Sequence, residues 1–164
     1  MKELLQQSAA YNLWANQRLT DVILKLDENK QQQIVTGSFP NLYAAILHLW
    51  DAESTWWQRM KLHEKILVPS KNFNPAMQEA VNGLLQQNSL WIEWINNASA
   101  AALEHVFAYQ NSRREQFKQP VFQMLHHVFN HGTYHRGQIV IMLRELGVEK
   151  IPPTDFIVWS RSKK

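Results

Sequence analysis

Apolar side chains recur at helical spacing through residues 120–146, and this long segment constrains the architecture of the whole chain. Pro120 suits the first turn of a helix, because the N–H that it lacks would have no partner there. Gly147 suits the position just beyond the end, where a left-handed backbone is favoured. Between them, large side chains recur at helical spacing at Met124, Val128, His135, Ile139, Met142 and Leu146. This period predicts a long helix that buries one face.

Three histidines of this helix, His127, His131 and His135, follow one another at intervals of four residues. Four residues is slightly more than one helical turn, so the three imidazoles lie along one stripe. Two histidines at this interval can bind one metal ion from a single helix. All three cannot easily do so, because the end members lie about 12 Å apart by helical rise. The alternative interpretation is that they are core residues that donate hydrogen bonds to carbonyl groups.

Three further segments show the helical period and are separated by polar connections: residues 2–27, 40–62 and 75–102. Ser38 suits the cap of the second segment and Pro40 its first turn. Asn74 and Pro75 suit the same two positions at the start of the third. With the segment at 120–146, the chain therefore has four long amphipathic helices.

The remaining segments are not predicted to be helical. Residues 104–118 contain strand-forming side chains around a turn at Asn111-Ser112, and they predict a short hairpin or two extended arms. Pro152-Pro153 argues against a helix in the tail that follows Gly147. The tail is nevertheless too apolar to remain in solvent, so we expect it to pack back on the helices.

Four long helices with little strand predict an all-α fold, a four-helix bundle with a short extended or hairpin segment before the last helix. At 164 residues, the chain is most simply one domain covering residues 1–164. The connection between the second and third helices is about a dozen residues long, which is enough to cross the bundle and permits an up-down-down-up order.

Composition excludes several kinds of site. The chain has no cysteine, so a metal ion must be held by histidine, carboxylate or amide groups. The absence of cysteine and of a signal-peptide pattern suggests a cytoplasmic protein, and no apolar run is long enough for a membrane span. The net charge is +3, with much of it from the terminal Arg161, Lys163 and Lys164. No clustered basic face indicates nucleic-acid binding.

Four stretches of the chain resemble the DinB family of bacterial four-helix bundles, whose superfamily includes YfiT-like proteins and thiol-dependent transferases and isomerases. They are Tyr-Asn-Leu-Trp-Ala-Asn at 11–16, Ile-Leu-His-Leu-Trp-Asp-Ala-Glu at 46–53, Asn-His-Gly-Thr-Tyr-His-Arg-Gly-Gln at 130–138 and Pro-Pro-Thr-Asp-Phe-Ile at 152–157. The resemblance spans nearly the whole chain. It implies a divalent metal ion held by His48, His131 and His135, with His127 as a pocket wall or a residue that orients the ligands, and it implies a homodimer.

Such a site would leave open positions on the metal for water or substrate. Imidazole ligands favour zinc or nickel and also admit iron or copper. Each ligand should donate its second ring N–H to a polar group that fixes its orientation. The candidates for that role are Asp51, Glu53, Asn130 and Asp155. Arg136 is predicted to meet an anionic substrate group or to form a salt bridge with a helix neighbour, whereas Tyr134 and Gln138 are predicted to pack or to lie on the helix surface.

Three functions fit these expectations. The first is a metal-dependent enzyme, either a hydrolase or an S-transferase that uses a low-molecular-weight thiol, as the resemblance suggests. The second is a metal-binding stress-response bundle without turnover. The third is a structural bundle whose histidines belong to the core, and a bound metal would exclude it.

Overall fold

This computed structural model describes residues 1–111 and 113–161, and these residues form four long helices, four short helices and one hairpin. The long helices are α1 (Lys2–Ile23), α3 (Leu42–Met60), α5 (Met77–Asn97) and α7 (Val121–Glu145). The short helices are α2 (Glu28–Gln32), α4 (Pro69–Asn72), α6 (Ala100–Glu104) and α8 (Phe156–Arg161). Strands β1 (Val106–Gln110) and β2 (Gln116–Pro120) precede α7. The predicted four-helix bundle is confirmed.

The long helices are arranged so that α1 and α3 each pack against both α5 and α7. One apolar cluster joins the end of α1 to the starts of α3 and α5 and to the end of α7, with Leu19, Leu42, Ala80 and Leu143 as members. A second cluster joins the start of α1 to the end of α5 and the start of α7, with Leu5, Trp91 and Val121 as members. Helices α1 and α7 therefore run in one direction and α3 and α5 in the other, which is the up-down-down-up order.

Between the two apolar clusters, each long helix contributes buried polar side chains at its middle. We call this set the polar layer: Asn12, Asn16, Glu53, Asn88 and Arg136. Each of these residues is at most 2% exposed. Buried polar groups of this kind are tolerated only where they bond to one another, so the layer fixes how the four helices meet.

Two helix starts differ from the sequence prediction. Helix α3 begins at Leu42 and not at Pro40, because the Asn41 side chain caps it by accepting a 2.8 Å hydrogen bond from the Ala44 N–H. Ser38, the predicted cap, therefore does not cap α3. Helix α5 begins at Met77 instead of Pro75, and Glu79 accepts a hydrogen bond from the Ala76 N–H in its first turn.

The hairpin is confirmed, with β1 antiparallel to β2 and Val106 opposite Pro120. The tail packs back on α1 as expected, and the Tyr11 hydroxyl donates a 2.7 Å hydrogen bond to the Thr154 carbonyl. The prediction of a tail without helix is wrong at α8, because the two prolines restrict only their immediate neighbours. The predicted turn residue Ser112 and the basic Lys163 and Lys164 lie outside the described residues. Within the described part of the chain, no helix has the length and hydropathy needed to cross a bilayer.

Candidate metal centre

Three imidazoles converge where the first half of α3 faces the middle of α7. The Nε2 atom of His48 lies 3.3 Å from that of His131 and 3.1 Å from that of His135. The Nε2 atoms of His131 and His135 are 3.0 Å apart. His131 and His135 share one face of α7 because they are four residues apart. The up-down-down-up order then places His48, 83 residues before His131, against that face.

This triangle cannot be satisfied by hydrogen bonds among the three rings alone. A neutral imidazole nitrogen is either a donor or an acceptor, so three nitrogens in mutual contact always leave one pair mismatched. A cation satisfies all three lone pairs together. For a tetrahedral zinc ion with Zn–N bonds of about 2.0–2.1 Å, two ligand nitrogens lie about 3.3 Å apart. The spacing of the three nitrogens therefore fits a metal ion.

A carboxamide fixes the orientation of His135. The Gln138 Oε1 atom lies 2.7 Å from His135 Nδ1, and since a carboxamide oxygen only accepts, Nδ1 is the protonated nitrogen. The Gln138 amide is itself held by a 2.9 Å hydrogen bond from Nε2 to Ser38 Oγ. The Nε2 lone pair of His135 is thus directed into the triangle. The prediction that Gln138 packs or lies on the helix surface is wrong.

Burial and charge keep two of the histidines neutral, the form that binds metal. Burial, followed by the neighbouring His135 and His48, lowers the pKa of His131 to about 4. Burial and His135 also lower the pKa of His48, while Asp51 opposes that shift. Asp51 is one of the residues predicted to orient a ligand. Its carboxylate instead accepts hydrogen bonds from the N–H and the hydroxyl of Ser70, at 2.8 and 2.6 Å.

Aromatic rings surround the three histidines unevenly. The Phe39 ring lies 5.1 Å from the His48 ring and 5.2 Å from the His135 ring, and it covers one side. On the α7 side, the exposed His127 ring lies 5.7 Å from that of His131, where a pocket wall was predicted. Tyr134 packs 5.0 Å from His135 and is 64% exposed. Phe39 therefore covers the centre on one side, and the exposed His127 borders it on the other.

Other candidates lie away from the triangle. Asp155 stands directly before α8, where its backbone carbonyl accepts hydrogen bonds from Val158 and Trp159. Asn130 is exposed on α7. Among the described residues, neither side chain has a hydrogen bond to the three histidines, so their predicted orienting role has no structural support.

Arg136 follows His135 but turns into the polar layer. Its Nη1 donates to the Oδ1 atoms of Asn12 and Asn16, at 2.6 and 3.0 Å, and its Nη2 donates to Thr133 Oγ1 at 2.8 Å. Only 2% of the residue is exposed, so the prediction that it meets an anionic substrate group is wrong. Glu53 is the nearby acid and receives hydrogen bonds from Asn12 and Asn88.

The Glu53 carboxyl group should give the protein a measurable pH dependence. Burial raises its pKa from 4.5 to about 7, although the hydrogen bonds from Asn12 and Asn88 and the charge of Arg136 oppose the shift. Above pH 4.5 the unfolded chain releases this proton while the folded chain keeps it, so this group's stabilising contribution is lost as the pH rises towards 7. We expect the free energy of unfolding of wild type to fall by about 2–3 kcal/mol over this range relative to Glu53→Gln.

Urea unfolding of both proteins at several values between pH 4.5 and 7.5 measures this difference. The two proteins are compared by how steeply the free energy of unfolding changes with pH, and not by its absolute value, because Glu53→Gln also changes the hydrogen bonds to Asn12 and Asn88. Parallel pH profiles for the two proteins would show that Glu53 is already ionised in the folded state.

Sequence reasoning missed two contributors to the centre, Gln138 and Phe39. Gln138 had a usable signal, because it lies three residues after His135 on one helix and such residues are neighbours. Phe39 had none, since it precedes α3 in an irregular segment and meets the histidines only after α3 and α7 have packed.

The chain is similar to known proteins over nearly its whole length. The family model described as the DinB family matches residues 1–162. Protein DinB of Bacillus subtilis (strain 168) is 26% identical over 155 residues, which cover 89% of this chain and 87% of that protein. The crystal structure of a DinB-like protein from Bacillus cereus ATCC 10987 has a TM-score of 0.68 at 19% identity, covering 92% of this chain and 95% of that one. This structural likeness supports the fold.

Proposed function

Since the chain belongs to the DinB family, we propose that it is a metal-dependent enzyme that binds one divalent ion through His48, His131 and His135. The observation that carries the proposal is the triangle of three Nε2 atoms 3.0–3.3 Å apart. Three imidazole ligands and no thiolate suit zinc or nickel, and also admit iron or copper. Three protein ligands with an accessible side are typical of catalytic metal sites, whereas structural sites are closed by four.

The side chains around the triangle have distinct tasks. Gln138 holds the His135 ring, and Phe39 excludes water from one side of the histidines. His127 leaves the other side open to a substrate. When bound, a divalent ion lowers the pKa of a water or thiol at its open positions and polarises a carbonyl. The proposed reaction is S-transfer from a low-molecular-weight thiol, with hydrolysis as the related alternative, and the proposed assembly is a homodimer.

The proposal is tested by loading the purified protein with zinc or nickel, dialysing it, and measuring the bound metal by mass spectrometry. We expect one ion per chain in wild type and in His127→Ala. X-ray absorption should show imidazole nitrogens around the ion. Wild type that retains no metal after dialysis would refute the metal site. Turnover is then followed with glutathione and monochlorobimane, whose fluorescent thioether forms as chloride leaves, in zinc-loaded wild type against His131→Ala.

A second prediction concerns Gln138. Replacing it with leucine removes the acceptor that holds the His135 Nδ1–H, and we expect zinc affinity to fall about 10–100-fold. Competition with a chromophoric chelator measures the change. Gln123→Leu, at an exposed position of the same helix, is the matched control and should leave affinity unchanged. Gln138→Glu keeps an acceptor and should retain most of the affinity. Equal losses in Gln138→Glu and Gln138→Leu would contradict an orienting role.

A further inference from the structure

Arg59, near the end of α3, has a guanidinium group that meets aromatic rings. Its Cζ atom lies 4.8 Å from the centre of the Trp56 ring and 5.5 Å from that of Tyr109, a residue of β1. Its Nε is buried and has no hydrogen-bond partner among the described residues. A buried arginine donor without an acceptor is uncommon, since leaving it unpaired destabilises the fold. The Nε atom itself is enclosed, but the two Nη groups, which also have no hydrogen bond among the described residues, can donate to a ligand.

A cavity of about 610 Å³ lies beside this arginine. Its lining includes Thr55, Val68, Ala108 and Tyr109 together with Arg59, and the exposed Glu64 is the acidic residue of the lining. Apolar and aromatic walls around one cation suit a small organic anion. A carboxylate matches the planar fork of a guanidinium with two parallel hydrogen bonds. A doubly charged phosphate would be better matched by several cations.

The Arg59 cavity is connected to the three histidines by a continuous aromatic wall. The Trp56 ring lies 5.3 Å from the His127 ring, which in turn lies 5.7 Å from the His131 ring. By way of Trp56 and His127, the path from the Arg59 Cζ atom to the His131 ring is at most about 16 Å long. An extended chain of three residues spans about 10 Å. A metal–thiol bond of about 2.3 Å at one end and a guanidinium–carboxylate pair with N···O of about 2.8 Å at the other add to this reach, so a ligand of tripeptide size has about the length that the path requires.

We propose that Arg59, Trp56 and Tyr109 form a carboxylate subsite for the thiol co-substrate. In this arrangement the thiol lies at the three histidines and the carboxylate at Arg59, with the body of the molecule along His127 and Trp56. The substrate class is thus a carboxylate-bearing low-molecular-weight thiol of tripeptide size. This inference rests on the proposed function for the position of the thiol, but the anion subsite itself belongs to residues that do not bind the metal.

The chain offers a matched control at Arg18. Its guanidinium lies 5.0 Å from the Trp14 ring, and its Nε is likewise buried without a partner. Arg18 is on α1, however, and the cavity that it shares with Asp21 and Glu149 also contains Lys25 and Lys150, so an anion bound there would not depend on Arg18 alone. If the loss of any stacked arginine weakens ligand binding, Arg18→Gln and Arg59→Gln should both weaken it. If the carboxylate subsite is what matters, only Arg59→Gln should weaken it.

The test is calorimetric titration of the full-length protein, zinc-loaded, with glutathione and with cysteamine, a thiol without a carboxylate. We expect Arg59→Gln to weaken glutathione binding about 10–100-fold, the effect of losing a charge-assisted hydrogen-bond pair. Arg18→Gln should bind glutathione as wild type does, and cysteamine should bind all three proteins equally. Arg59→Lys, which keeps the charge but not the planar fork, should show an intermediate loss and serves if Arg59→Gln does not fold.

Three results would overturn the subsite. They are equal glutathione affinity in wild type and Arg59→Gln, an equal loss in Arg18→Gln, and wild type that binds glutathione no more tightly than cysteamine. A parallel titration of metal-free protein separates the two proposals. If Arg59→Gln still weakens glutathione binding in the metal-free protein, and zinc neither binds nor changes glutathione affinity, the proposed metal function fails and the carboxylate subsite stands.

Discussion

His131→Ala is expected to lose zinc affinity on the order of a thousandfold or more, beyond the 10–100-fold typical of residues that only orient a ligand. His131 contributes one corner of the nitrogen triangle, at 3.0 Å from His135 and 3.3 Å from His48. Burial and the neighbouring histidines lower its pKa to about 4, so its lone pair is available throughout the neutral range. The two histidines that remain can hold the ion only with additional water ligands.

Chelator competition at pH 7.5 measures this loss, with circular dichroism of the metal-free proteins as a check on folding. His127→Ala is the matched control, because it also removes an imidazole from the same stripe of α7 but leaves the triangle intact. Equal affinities in His127→Ala and His131→Ala would mean that the stripe binds zinc diffusely and that the triangle has no special role.

The largest effect on folding is expected at Arg136. Replacing it with leucine leaves the Oδ1 atoms of Asn12 and Asn16 without their donor and Glu53 without its nearby cation. Breaking a buried charged network by removing one partner typically costs about 3–5 kcal/mol. We expect a destabilisation of that size at pH 8. It should be smaller at pH 5, where Glu53, with its pKa raised to about 7, is protonated and needs no cation.

Urea unfolding at the two pH values measures both parts of this expectation. Arg18→Leu is the control for loss of a stacked arginine, and it should cost less because no buried acceptor bonds to Arg18 among the described residues. A destabilisation of Arg136→Leu no larger than that of Arg18→Leu would show that the polar layer contributes little to stability.

The helices and the histidine ligand candidates were accessible from the sequence because both depend on local spacing. The apolar period identified α1, α3, α5 and α7, with errors of a few residues at their ends, where capping by Asn41 or Glu79 decides the start. The interval of four residues placed His131 and His135 on one face. The choice of His48 as their partner came from the family resemblance and not from spacing.

What the sequence could not provide are contacts between distant segments. Arg136 sits one residue after His135, and only the packing of α1 against α7 shows that its side chain bonds to Asn12 and Asn16 instead of facing the metal site. The Asp51 carboxylate is similarly taken by Ser70, 19 residues further along. In both cases the polar partner lies on a different helix, beyond the reach of any periodic pattern.

The separation of the histidines along the chain has a consequence for heat stability. His48 lies 83 residues before His131 and 87 before His135, so an ion bound to all three closes a large loop as a disulfide would. A cross-link over such a loop removes conformations from the unfolded chain worth on the order of 4 kcal/mol. The melting temperature should then rise with the concentration of free metal and fall when a chelator removes the metal. The resistance of the bundle to heat therefore depends on how much metal is available to it.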